Sequence, residues 1–193
     1  MKKRVLYLGL DPSRFITDGV VTYYPVIKIV PRELPALDFS LFDTIIFTSR
    51  SPVKILAPHL KYPATMIAIG TATAALLKEL GFSSLVPEDE TAEGVVDILK
   101  SINIKNALYL HSSRARDVIS HYLKSNHIAC FQAPLYDTVM QKIQPVPSLD
   151  SFDEIVFTSP STVDAFLEIF KQLPHNKTLT AIGPITRSYL LAK

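Results

Sequence analysis

Residues Phe42–Val53 read FDTIIFTSRSPV, and residues Phe152–Val163 read FDEIVFTSPSTV. Phe, Asp, Ile, Phe, Thr, Ser, Ser and Val recur in one register. Shortly after each copy a second match follows: Ile67–Thr73 is IAIGTAT and Thr180–Thr186 is TAIGPIT. A weaker echo links Leu6-Tyr7-Leu8 with Leu108-Tyr109-Leu110. Matches in the same order and at similar spacing point to duplication of one structural unit. In each copy an apolar, β-branched run ends in Thr-Ser, a helical pattern follows, and a second run ends in Ala-Ile-Gly. The unit is therefore strand, helix, strand, helix.

The same alternation extends outward from the repeat. Short apolar runs at Arg4–Leu8, Pro25–Val30, Thr65–Ile69, Ala107–Leu110 and Thr178–Ile182 join the two repeat strands. Continuous apolar character suits parallel strands buried on both faces. Helical patterns cover Pro52–Leu60, Thr71–Leu80, Ala92–Ile102, Arg114–Ser125, Thr162–Leu173 and Pro184–Leu191. Gly81 suits a left-handed cap after Leu80, and Thr91 suits an N-cap before Ala92. Strands alternating with helices predict an α/β fold with parallel sheets. The second copy lies close to Lys193, so its sheet must recruit strands from the N-terminus, Arg4–Leu8 and Pro25–Val30. The expectation is two parallel-sheet α/β/α (flavodoxin-like) domains. One is discontinuous and shortened, residues 1–31 with 141–193; the other, 32–140, is inserted within it. Connectors near Pro25–Leu34 and Pro134–Gln144 would run side by side as a two-stranded hinge.

Composition narrows the function classes. The chain has 193 residues, 48% of them hydrophobic, and a formal net charge of +2. That charge is too small to mark a nucleic-acid surface. The single cysteine, Cys130, makes neither an internal disulfide nor a metal cluster. No run approaches the roughly 20 apolar residues that span a bilayer. The expectation is a cytoplasmic monomer with no membrane or nucleic-acid partner. None of the six glycines builds a dinucleotide or phosphate-loop fingerprint. The histidines, His59, His111, His121, His127 and His175, lack helical metal-ligand spacing.

In open parallel sheets ligands bind beyond the carboxyl ends of the strands. That places four turns at a candidate site: Thr48-Ser49-Arg50, Gly70-Thr71-Ala72-Thr73, Thr158-Ser159-Pro160-Ser161 and Gly183-Pro184-Ile185-Thr186. Each opens a helix, whose first N–H groups lack intrahelical partners and favour anions. Two domains facing one another would offer four such ends to a polycarboxylate. Taken singly, each of these turns reads first as ordinary capping; the fourfold repetition weighs toward a site. Ser112, beyond the strand Ala107–Leu110, belongs to the same edge. His111 beside it reads first as a surface histidine. Glu88-Asp89-Glu90 reads as a solvated turn before a helix. Tyr136, in the connector segment Pro134–Val139, is either a proton donor facing the cleft or a tyrosine packed on the hinge.

Ile46–Val53, the twice-seen AIG turn, Leu135–Val139 (LYDTV) and the Arg114–Leu123 helix together resemble the uroporphyrinogen-III synthase family. The resemblance runs through nearly the whole chain in order. It implies two α/β domains joined by a two-stranded ladder, and conversion of hydroxymethylbilane to uroporphyrinogen III with loss of water, in heme biosynthesis. The terminal hydroxyl leaves, ring D attacks through its substituted carbon, and a spiro intermediate fragments and recloses with ring D inverted. No cofactor or metal is implied. Carried over residue by residue, Tyr136 is the candidate acid. Thr48, Ser49, Arg50, Gly70, Thr71, Thr73, Ser112, Ser159, Ser161, Gly183, Pro184 and Thr186 are candidate substrate contacts. Ile185 stands where the family has a threonine. Gly9–Thr22 is short and interrupted for the helix that the family places there, and its usual further strand and helix do not follow Pro184–Leu191. A non-catalytic two-domain clamp for an anionic metabolite or tetrapyrrole would use the same turns. A sugar- or phosphate-handling enzyme lacks the base or metal site it would need.

Overall fold

The apolar core of the first repeat copy forms strand β4 (Thr44–Phe47), all four residues of it buried. The second copy forms β9 (Glu154–Phe157), buried in the same way. Each is an interior strand of a parallel sheet, which is why neither shows polar alternation. The computed structural model describes residues 2–13 and 15–193. The chain divides into two units: residues up to Lys28 together with Thr138–Lys193, and Ile29–Asp137.

The discontinuous unit holds β1 (Arg4–Tyr7), β2 (Val20–Tyr23), β9 and β10 (Thr178–Ala181), in the order β10-β9-β1-β2 and all parallel. Helices α5 (Pro160–Phe170) and α6 (Pro184–Leu191) pack on one sheet face, where Leu6, Leu8, Ile155, Phe157, Val163 and Phe166 form the core. On the other face Val5, Tyr7 and Val156 are covered by Phe15 and Val21. No helix links β1 to β2 among the described residues.

The inserted unit holds β5 (Thr65–Ala68), β6 (Ser84–Leu85), β7 (Ala107–Ser112) and β8 (Cys130–Met140) with β4. Its sheet runs β3-β8-β7-β4-β5-β6, where β3 is Ile27–Pro31. Alternate residues of β4 serve opposite faces. Ile45 and Phe47 join Val53, Leu56 and Leu77 from α1 (Arg50–Leu56) and α2 (Thr71–Glu79). Ile46 joins Val95, Leu99, Ile119 and Leu123 from α3 (Ala92–Ser101) and α4 (Val118–Ser125). The chain passes between units twice, within β3 and within β8, which are hydrogen-bonded neighbours. Arg32 N–H donates to Leu135 O and Gln141 N–H to Val26 O, each at 2.8 Å, so these two strands run antiparallel.

Four sequence expectations change in detail. Pro25–Val30 was expected in the sheet of the discontinuous unit, but β2 stands there beside β1, and β3 joins the other sheet beside β8. Gly19 makes this possible: its Cβ would lie 2.6 Å from Lys3 O, so only glycine lets Val20 N–H reach that carbonyl, at 2.8 Å. The helix expected over Pro52–Leu60 begins at Arg50 and yields to a 3-10 turn at Ala57–His59, because Pro58 cannot continue the α-helical ladder. The helix expected from Arg114 starts at Val118, since Ser112 diverts the chain: its Oγ accepts from Arg114 N–H and its carbonyl from Ala115 N–H. Helix α5 begins with Pro160 at its first position and ends at Lys171, whose φ of 73° is left-handed. Gly81, at φ +88°, and Thr91, whose hydroxyl accepts from Gly94 N–H, do what their positions predict.

Candidate active site

A doubly wound sheet leaves a crevice beyond its strand ends where the strand order reverses. Counted from β4, the parallel strands of the inserted unit run 3-2-1-4-5, that is β6-β5-β4-β7-β8. The reversal falls between β4 and β7. Thr48 and Ser49 follow β4, while His111 and Ser112 end β7.

Strand β8 delivers the third part. Pro134 pairs with His111, but the next pair is Ser112 with Tyr136, so Leu135 is an extra residue. Proline has no N–H to continue the ladder, and a bulge at such a point re-aims the side chain after it. Leu135 and Tyr136 are therefore both buried, where a regular strand would alternate. The phenolic oxygen of Tyr136 lies 2.9 Å from Ser49 Oγ. Burial raises the phenol pKa above its ordinary value, opposed in part by hydrogen bonds from Ser49, Ser112 and Ser51. One strand away, burial pushes Tyr109 up to about 12 despite a hydrogen bond with Thr48. Asp137 follows, with both carboxylate oxygens on Arg32 at 2.8 Å, which lowers its pKa to about 2.

The four turns differ in what their helix ends already hold, which corrects the expectation of four free ends. At α1, Ser49 is the N-cap residue but makes no capping bond, because its hydroxyl faces Tyr136. Arg50 beside it is half-buried. At α2, Thr71 N–H is taken by Glu90 Oε1 at 2.8 Å. A Cβ at Gly70 would stand 2.3 Å from the other Glu90 oxygen, so glycine leaves room for this placement of the Glu90 side chain. At α5, Thr162 Oγ1 accepts from Thr158 and Ser159 N–H, and Ser159 Oγ meets Ser161 Oγ at 2.9 Å. At α6, Gly183 provides no side-chain cap and Pro184 has no N–H, so this end is open. Orphan donors draw in whatever acceptor the chain offers nearby.

Thr48, Ser49, Ser112 and Tyr136 thus gather at one edge of the inserted unit, with Gly70 and Thr71 on the adjoining strand end. Ser159, Ser161, Gly183 and Pro184 lie at the matching edge of the discontinuous unit. Thr73 and Thr186, one turn into α2 and α6, are buried at 4% exposure. His111 is half-buried, its Nδ1 2.8 Å from Ser112 O and its ring 4.6 Å from that of Tyr109. Sequence reasoning gave no role to Ser51, Tyr109 or Thr162. It read Glu90 as solvated; the residue is exposed yet bonded, a carboxylate near a helix start being the available signal. Among the described residues no three His, Cys, Asp or Glu side chains gather to hold a metal ion.

Fold and site together define a duplicated, two-unit, doubly wound α/β protein whose strand-end turns are rich in hydroxyls. Comparison with known proteins agrees. The sequence model of the family described as uroporphyrinogen-III synthase HemD matches residues 17–193. The chain belongs to the uroporphyrinogen-III synthase family. A candidate uroporphyrinogen-III synthase of Methanothermobacter thermautotrophicus is 29% identical over 170 residues, covering 75% of this chain and 67% of that protein. The porphyrin biosynthesis protein HemD of Ruminiclostridium josui is 28% identical over 184 residues, covering 82% of this chain and 36% of that protein. The crystal structure of the Helicobacter pylori uroporphyrinogen-III synthetase superposes with a TM-score of 0.68 at 23% identity, over 100% of this chain and 89% of that one. A Thermus thermophilus uroporphyrinogen III synthase gives 0.62 at 16% identity, over 98% and 88%. At these identities the structural matches establish the fold.

Proposed function

We propose that this chain closes hydroxymethylbilane to uroporphyrinogen III, with inversion of ring D and loss of water. One observation carries the reading beyond family membership: the Pro134 bulge turns Tyr136 toward Ser49 and Ser112 at the switch point of the sheet. A neutral phenol there is a proton source for the departing hydroxyl, and its raised pKa keeps it protonated throughout the physiological range. Once the hydroxyl has left, the substrate is a reactive cation, and the remaining task is orientation. The turns at Thr48–Arg50, Gly70–Thr71, Ser112, Ser159–Ser161 and Gly183–Pro184 hold the substrate, its carboxylates through backbone N–H groups, the hydroxyls of Thr48, Thr71, Ser112, Ser159 and Ser161, and the Arg50 guanidinium, with Ser49 beside the phenol. Thr73 and Thr186, in the same turns, belong to the proposed set of substrate contacts. The proposal includes action as a cytoplasmic monomer.

The test is product identity. Freshly made hydroxymethylbilane is incubated with the protein, the product is oxidised, and porphyrin isomers I and III are separated. An excess of isomer III over the protein-free control is expected. A ratio equal to that control, with the protein shown to be folded, refutes the reading.

A further inference from the structure

Ser49 occupies an N-cap position, where serine ordinarily accepts a hydrogen bond from the helix start. Here it makes no such bond. Its hydroxyl instead stands 2.9 Å from the phenolic oxygen of Tyr136. The two groups differ in access: Tyr136 is 5% exposed and belongs to the apolar cluster around Phe47 and Leu135, while Ser49 is half-buried at the strand end. Ser112 closes another side of the phenol, facing Tyr136 in the β7–β8 register. A hydroxyl both donates and accepts, so Ser49 can pass on a proton that it receives.

We propose that Ser49 is the catalytic residue that touches the leaving hydroxyl, and that Tyr136 is the proton source acting through it. This rests on the cyclisation reading above and fixes the route of its first proton. The Ser49 O–H proton moves to the substrate hydroxyl as the Tyr136 O–H proton moves to Ser49 Oγ. The carbon–oxygen bond breaks, its electron pair leaves with the oxygen as water, and the pyrrole nitrogen supplies electrons to the carbon. When the spiro intermediate has fragmented and recloses, the unsubstituted α-carbon of ring D forms the final bond and loses its proton as the pyrrole regains aromaticity, and that proton returns through Ser49 to the phenolate. Protons and electrons balance with no other reactant.

The experiment is a double-mutant cycle on turnover and KM with Ser49→Ala, Tyr136→Phe and the double variant, each checked for folding by circular dichroism. Members of one relay are not additive. Each single variant is expected to lose turnover by about 10²-fold or more, the general acid range, at a KM within about twofold of the parent. The double variant is expected to lose no more than the worse single. Ser49→Gly, which costs an N-cap only a few tenths of a kcal/mol, guards against a folding defect and is expected to match Ser49→Ala. A proton inventory in mixed light and heavy water is expected to curve for the parent, with two protons in flight. A raised KM at intact turnover for Ser49→Ala makes Ser49 a carboxylate contact and overturns the relay. So does a double variant whose loss is the product of the singles. A parent protein giving the protein-free isomer ratio overturns the cyclisation reading instead, a separate readout.

Discussion

Glu90 offers a test of whether the helix ends of this fold are binding surfaces or merely satisfied termini. Its carboxylate accepts from Thr71 N–H, the first residue of α2, at 2.8 Å. Glu90→Gln keeps a carbonyl acceptor and removes the charge, which at an exposed helix start is worth about 0.3–1 kcal/mol. Glu90→Ala removes both and is expected to cost about 0.5–2 kcal/mol, the range for a lost N-terminal cap. Urea unfolding measures both as a lower midpoint at unchanged slope. Substrate affinity should move the other way. If a substrate carboxylate uses the Gly70–Thr71 turn, Glu90 competes with it for one donor and repels it. Relieving about 0.5–1 kcal/mol of that competition should lower KM about two- to fivefold in Glu90→Gln. An unchanged or higher KM beside lower stability would show that the turn is structural and remove Gly70 and Thr71 from the site. Unchanged stability in Glu90→Ala would show that the bond to Thr71 contributes nothing in solution.

Thr162→Val keeps the shape of a fully buried residue but strips the acceptor shared by Thr158 and Ser159 N–H; urea unfolding should show a loss of about 2–3 kcal/mol from unsatisfied donors. Tyr109, pushed from 10.0 up to about 12 by burial, binds its proton more tightly folded than unfolded. Its contribution is therefore intact below pH 10 and lost as pH rises toward 12, and Tyr109→Phe should flatten that alkaline loss by about 2–3 kcal/mol in pH-dependent denaturation. Asp137 and Asp153, held at about 2 by Arg32 and Arg4, favour the folded state above about pH 4 and lose that effect as pH falls toward 2. Arg32→Ala should raise the pH midpoint of acid unfolding, and NMR titration should return Asp137 to the ordinary carboxylate range.

Much of the fold is legible in the repeat because both copies sit in the most buried strands, where side-chain character has one cause. The weak Leu-Tyr-Leu echo proves spatially exact in register: Leu108 pairs with Ile45 and Leu6 with Ile155. Strand β2 was not legible. Val20–Tyr23 is an edge strand with exposed Val20 and Tyr23, so its pattern reflects sheet position more than core burial. The site was legible as a set of turns but not as a set of bonds. Nothing in the sequence spacing says that Ser49 will face Tyr136, because that pairing depends on a bulge, and the bulge on where Pro134 falls against β7. Glu90 was misread for a related reason: its partner Thr71 lies 19 residues away.

The two copies show where duplication kept its chemistry and where it did not. At the start of the repeat strands the bonding is the same. Asp43 N–H donates to Asn106 O and Asp153 N–H to Arg4 O; Thr65 and Thr178 N–H donate to the carbonyls of Asp43 and Asp153. Each aspartate carboxylate then accepts from its neighbour's backbone, Lys105 N–H in one copy and Arg4 N–H in the other. This end locks register, which any copy of the fold needs. At the opposite end equivalent residues have parted. Ser49 turns to a buried phenol, whereas Ser159 turns to Ser161 and leaves Thr162 to bind the turn. The α2 start holds a carboxylate from its own unit, while the α6 start has no side-chain cap. Packing alone would have let both ends of the strands stay alike, since the same buried Phe, Ile and Val anchor both copies. The backbone bonds that set register are thus common to both copies, while the hydroxyl and carboxylate pairings at the carboxyl ends are particular to each.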